Sequence, residues 1–201
     1  MRSNIILFIA IFTILPCICL AQRNGSKAMD FTNIDYRLLD SLIIVEINVV
    51  RDSLGNYNMH YSRVISDNIS KPRCWILQKE QHVYHPDGRS ELYTDKIEFS
   101  VVKECSSKFR FKNGGNVVDG FEICLFNSRN YRLVTYRDYA KSIVDLWETS
   151  PDHCMVIRDA WGKETRSGHE FIITSGVSTK YGVWKGRNGF YAVLNLVVVY
   201  K

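Results

Sequence analysis

The chain is predicted to fold as α+β, with helices packed on a largely antiparallel sheet. Three observations carry this. Helical patterns occupy much of the chain before residue 160, and β-rich segments separated by turn residues cluster at its end. The stretch from Ala192 to Tyr200 is apolar at every position but Asn195, as in a central strand covered on both faces.

The first residues read as a leader. Arg2 supplies a short positive region, Ile5 to Leu15 an apolar stretch, and Cys19-Leu20-Ala21 a small-residue pattern suited to cleavage. Residues 1–21 are therefore expected to be a secretory signal, and the working domain to be secreted and extracytoplasmic. Pro16 interrupts the apolar run and polar sequence follows, so no transmembrane segment is expected after cleavage. Residues 22–35 are polar and contain Gly, Ser and Asn, which predicts a flexible N-terminal arm, with the domain spanning 36–201.

Within the domain, Leu38, Leu39, Leu42, Val45 and Val49 fall on one face of a helix over 36–51. The β-branched run from Ile43 to Val50 keeps a strand open as the alternative. Ser53-Leu54-Gly55-Asn56 stops the element. Ser70 is expected to cap a helix with Lys71 and Pro72 in its first turn, ending before the turn sequence His85-Pro86-Asp87-Gly88. Residues 95–105 alternate enough to predict a strand, and 106–120, with Gly114-Gly115, a loop. Thr135 and Asp138 form a capping-box pattern that opens a helix with Tyr139, Ile143, Leu146 and Trp147 on one side. Ser150 and Pro151 open another short helix. Residues 170–177, 180–186 and 189–201 are strand-like, with Gly186-Arg187-Asn188-Gly189 as a hairpin loop. Trp75, Trp147 and Trp184 are assigned to the core.

The 26 basic and 21 acidic residues give a net charge of +5, and no Lys/Arg block stands out, so nucleic acid is not an expected partner. Six cysteines occur, of which Cys17 and Cys19 leave with the leader. Cys74, Cys105, Cys124 and Cys154 remain. In an exported domain they predict disulfide bonds, in any of three pairings, with buried free thiols as the alternative.

Trp147-Glu148-Thr149-Ser150-Pro151-Asp152-His153 reads W-x-x-S-P-x-H. With a helix before it, Met155-Val156-Ile157 after it and strands closing the chain, it resembles the CAP superfamily of cysteine-rich secretory, antigen 5 and pathogenesis-related proteins (the SCP-like domain), in its bacterial-type pattern. Gly120-Phe121-Glu122-Ile123 resembles the family's G-E-N-I motif, and Ile47-Asn48-Val49-Val50-Arg51 its I-N-x-x-R motif. Asp152 stands where the family has glycine, and Phe121 where it has the acid.

The resemblance implies an α-β-α sandwich with helices on both faces of the sheet. It also implies a central cleft carrying His85 and His153, with Glu122 as a third member and His82 as an alternative to His85. Two imidazoles on a rigid scaffold could share a divalent cation such as zinc. No nucleophile accompanies the histidines, so the expected role is binding of a small ligand, lipid, metal or extracellular protein, through that cleft or an outer groove. The alternatives are an exported metal-dependent hydrolase using His85 and His153 with a metal-bound water, and a structural or adhesive secreted domain of unrelated α+β fold.

Overall fold

The structure is a computed structural model that describes residues 25–84, 94–109, 115–130, 132–158 and 171–200. The leader lies outside the described residues. No helix among the described residues is long and apolar enough to cross a membrane.

The helices are α1 (Tyr36–Ser53), α2 (Arg63–Ile65), α3 (Lys71–Glu80), α4 (Asp95–Phe109), α5 (Tyr136–Thr149) and α6 (Pro151–Arg158). A π-helical stretch, Ser66–Ser70, joins α2 to α3 without a break. The strands β1 (His60–Tyr61), β2 (Asn116–Ser128), β3 (Phe171–Trp184) and β4 (Arg187–Tyr200) form one sheet in the order β1-β3-β4-β2. β1 runs parallel to β3, and the other pairings are antiparallel. The α+β expectation holds.

β4 organises the core. Its even positions from Phe190 to Val198 face α1, α5 and α6, where they meet Leu39, Ile43, Ile47, Ile143 and Trp147. Its odd positions face the other helices: Tyr191 and Val193 meet Cys74 and Leu77, and Val197 and Val199 meet Ile65, Ile69 and Val101. The period of two thus serves two helical layers at once. Asn195, the one polar side chain in the run, donates to Ser70 Oγ at 3.2 Å.

Local chemistry explains most boundaries. Asp35 accepts from the Leu38 N–H at 3.1 Å and caps α1. Thr135 and Asp138 form a full capping box on α5. Pro151 opens α6, where its missing N–H costs no hydrogen bond. The β3–β4 hairpin turns at Lys185 and Gly186, both at positive φ (49° and 75°), as a two-residue turn requires.

Several expectations are corrected. Residues 95–105 are helical, because Val101 and Cys105, four apart, form the buried stripe while Phe99 is exposed. Part of the expected 106–120 loop is β2, which pairs with β4 from Asn116 onward. The two expected strand segments merge into one strand, Phe171–Trp184, and the hairpin turns at Lys185 and Gly186 instead of over Gly186–Gly189. α1 buries Leu39, Leu42, Ile43 and Ile47, whereas Val49 faces solvent. Ser70 does not cap α3, since the helix runs through it. The arm is seated over residues 25–35: the Met29 N–H donates to Val134 O at 2.9 Å, and Phe31 packs on Tyr139, Tyr181 and Phe190.

At Gly176 the backbone of the second layer lies directly against the sheet. A Cβ there would lie 2.3 Å from Ser66 N and 2.6 Å from Ile65 C, both backbone atoms. Gly176→Ala is expected to cost about 3 kcal/mol through overpacking, read as a lower urea midpoint at unchanged slope. An unchanged midpoint would contradict this contact.

Candidate functional site

β1 is two residues long and covers only Thr174 and Ser175 of β3. Beyond that point no strand pairs with the outer edge of β3 among the described residues. Its polar groups are met instead by groups from the two helical layers. From the second layer, the Ser62 N–H donates to Ser175 O at 2.7 Å and Ser66 Oγ to Val177 O at 2.9 Å, while Ser70 Oγ donates at 2.7 Å to Gly176 O, on the side of the strand paired with β4. From the first layer, Asp40 Oδ1 accepts from Thr179 Oγ1 at 2.7 Å, and the Tyr36 hydroxyl accepts from the Tyr181 N–H at 3.3 Å. The Thr179 backbone N–H also serves Asp40.

Between these supports an open groove of about 570 Å³ runs along the edge, from the first turn of α1 to α3. This is a size usual for small-molecule sites. Tyr36 forms one wall and Trp75, 53% exposed, stands at the other. The Lys180 ammonium lies between them, 5.3 Å from each ring centroid. The Lys71 ammonium lies 5.9 Å from the Trp75 ring. At the rim Arg63 pairs with Asp67 at 3.1 Å. Burial pushes the Asp40 carboxyl well above the usual carboxylate range, against the hydrogen bonds from Thr179 and the nearby Lys71 ammonium.

The described residues among those singled out from the sequence lie elsewhere. His85 lies outside the described residues. His82 is exposed and stacks on Tyr84, ring centroids 5.5 Å apart. β2 turns Glu122 toward the second layer, where the nearly buried Arg73 guanidinium donates to Oε1 at 3.0 Å. Arg73 also donates to Tyr84 O and covers the Tyr84 ring at 4.5 Å. His153 is half-buried on α6, in the first layer. Glu122 and His153 therefore belong to opposite faces of the edge strand β2. Among the described residues no three His, Cys, Asp or Glu side chains gather in a way that could hold a metal ion. A guanidinium already occupies the carboxylate that zinc would need, so the described residues do not fit such a site.

The disulfide expectation is corrected as well. Cys74, Cys105, Cys124 and Cys154 are free thiols. Cys105 lies in a different cluster from Cys74 and Cys124. Cys74 donates to Tyr191 O at 3.4 Å and Cys124 to Tyr84 O at 3.5 Å. Burial pushes Cys105 up to about 11 and Cys124 up to about 12, and Cys74 well above its usual value. These three behave as small apolar side chains rather than nucleophiles.

No motif in the sequence points to the groove. Trp75, expected in the core, projects from α3 on the side away from Cys74 and Leu77, and Trp184 is only half-buried. One sequence signal is present: Asp40 interrupts the apolar face of α1 between Leu39 and Leu42.

No protein-family model matches the chain, and no curated protein matches it. Among solved structures it is similar to an outer surface protein from Borrelia burgdorferi, at 12% identity and a TM-score of 0.46, over 81% of this chain and 95% of that one.

A raised native pKa means that the folded protein holds the Asp40 proton more tightly than the unfolded chain does. Its contribution to stability is then present below the ordinary carboxylate range and is lost as pH rises through the native value. Asp40→Asn keeps an acceptor for Thr179 and removes the charge. The variant is expected to melt above the parent at pH 8, with the gap closing toward pH 4. A gap that widens on acidification would contradict this.

Proposed function

We propose that the chain is an exported, CAP-like domain that acts by binding a small molecule in the groove along β3. The observation that carries this reading is the groove's make-up. A tryptophan more than half exposed stands beside two lysines that make no ion pair among the described residues. The part-buried Asp40 carboxyl, accepting from Thr179, lines the same space. An exposed aromatic face beside ammonium groups and a part-buried carboxyl is the mix of apolar wall and few polar groups that small-molecule sites use.

The leader pattern supports export. The layering of helices on both sheet faces supports the CAP resemblance, whereas Glu122, held by Arg73, and His153, in the other layer, do not form its implied cleft. Asn48 both accepts from and donates to the Met59 backbone, at 2.8 and 3.0 Å. Arg51, fully buried, donates to Tyr57 O and Ile157 O. Trp147 is a fully buried core residue, and the Ser150 carbonyl accepts the Cys154 N–H at 2.7 Å in the first turn of α6. In this reading the motifs hold the fold, and binding belongs to the outer groove. The hydrolase alternative draws no support from Glu122, which Arg73 holds.

A nuclear magnetic resonance screen of the purified domain with small aromatic and polar fragments tests the proposal. Shifts are expected to cluster on Tyr36, Trp75, Thr179 and Lys180, and hits are expected to weaken at least tenfold in Trp75→Ala. Hits that cluster around His153, or that ignore the substitution, would contradict it.

A further inference from the structure

The charges that line the groove are unequal in their commitments. Arg63 and Asp67 neutralise each other at the rim. Asp35 is engaged as the cap of α1. Lys71, Lys180 and Arg37 line the same space and make no ion pair among the described residues. The groove lining carries four cationic side chains, Arg37, Arg63, Lys71 and Lys180, against three carboxyls, Asp35, Asp40 and Asp67, and Asp40 is turned to Thr179.

The ammonium groups of Lys71 and Lys180 lie against aromatic rings rather than carboxylates. A cation–π contact at an exposed site is worth only about 0.5–1 kcal/mol. A ligand anion would offer both lysines a stronger partner, and the ring faces they leave would then be open to a flat apolar group. From this, and resting on the groove reading above, we infer that the groove takes a small planar aromatic acid. Its anionic group lies between Lys71 and Lys180, and its ring lies on Trp75, facing Tyr36.

Two other occupants fit less well. An extended peptide adding to the edge of β3 would need outward backbone donors, and the N–H groups of Thr179 and Tyr181 are already taken by Asp40 and Tyr36. A ringless anion such as inorganic phosphate would leave the Trp75 face in water.

The test uses naphthalene-2-carboxylate, its neutral isostere naphthalene-2-carboxamide, and inorganic phosphate. Each is titrated into the domain and followed by the Trp75 indole and the Thr179 and Lys180 amide resonances. The carboxylate is expected to bind at least tenfold more tightly than either other probe. In Lys71→Met/Lys180→Met, which keeps both aliphatic stems, its advantage over the carboxamide is expected to vanish. Lys180→Arg, which keeps the charge, should retain most of it, and the amide spectrum reports whether each variant is folded. Equal binding of carboxylate and carboxamide would overturn the acid while leaving the groove as a binding site. Phosphate binding as tightly as the carboxylate would overturn the ring. No shift at these resonances with any probe would overturn the groove reading itself.

Discussion

The layout of this protein follows from how the outer edge of β3 is closed. An open strand edge exposes a row of backbone donors and acceptors, and a solution other than another strand has to be built for them. Here β1 pairs with two residues and stops. The chain then turns directly into α2, and the π-helical stretch brings Ser66 and Ser70 down onto the carbonyls of Val177 and Gly176. The fit requires glycine at 176, because the helix backbone occupies the space where a Cβ would be. A π-helical stretch is uncommon and often marks a functional site. In this chain it seats two hydroxyls on neighbouring carbonyls, and it carries the chain onward into α3 and Trp75 at the mouth of the groove. The farther part of the edge is held by Asp40 and Tyr36 from the opposite layer. The groove is the gap between these two sets of supports, so its shape is a by-product of edge protection.

The other end of α1 is tied down in a comparable way. Arg51 is completely buried, and its guanidinium reaches Ile157 O at 2.7 Å, in the last turn of α6. Carbonyls at a helix C-terminus carry partial negative charge and suit a buried cation. Asn56 donates to the neighbouring Arg158 O. Together with Asn48 on Met59, these contacts join α1, the approach to β1, and α6. Asparagine and arginine at this spacing on one helix are thus explained by backbone carbonyls that would otherwise be buried without partners.

Much of the fold is legible in the sequence because local chemistry and tertiary packing agree there. The Thr135–Asp138 capping box, Pro151 at a helix start and the run from Ala192 to Tyr200 each have one good structural solution. The elements that differ from expectation are those where packing chose among nearly equal patterns. Asp95 to Cys105 alternates as a strand would, and only the burial of Val101 and Cys105 selects the helix. β2 is recognised by its partner β4 more than by its own composition, because Asn116, Gly120 and Glu122 dilute its apolar signal. The site is less legible than the fold. It assembles α1, α3 and β3 from positions as far apart as Asp40 and Thr179. None of its residues belongs to a motif. The motifs lead instead to Glu122, which a buried arginine engages, and to His153 in the other layer.

The central claim is that the groove beside β3 is a binding site for a planar acid. A crystal structure of the domain soaked with naphthalene-2-carboxylate tests it most directly. The carboxylate is expected within hydrogen-bond distance of Lys180 Nζ and the ring stacked on Trp75. Well-ordered ligand bound elsewhere on the domain, with the groove filled by water alone, would contradict it.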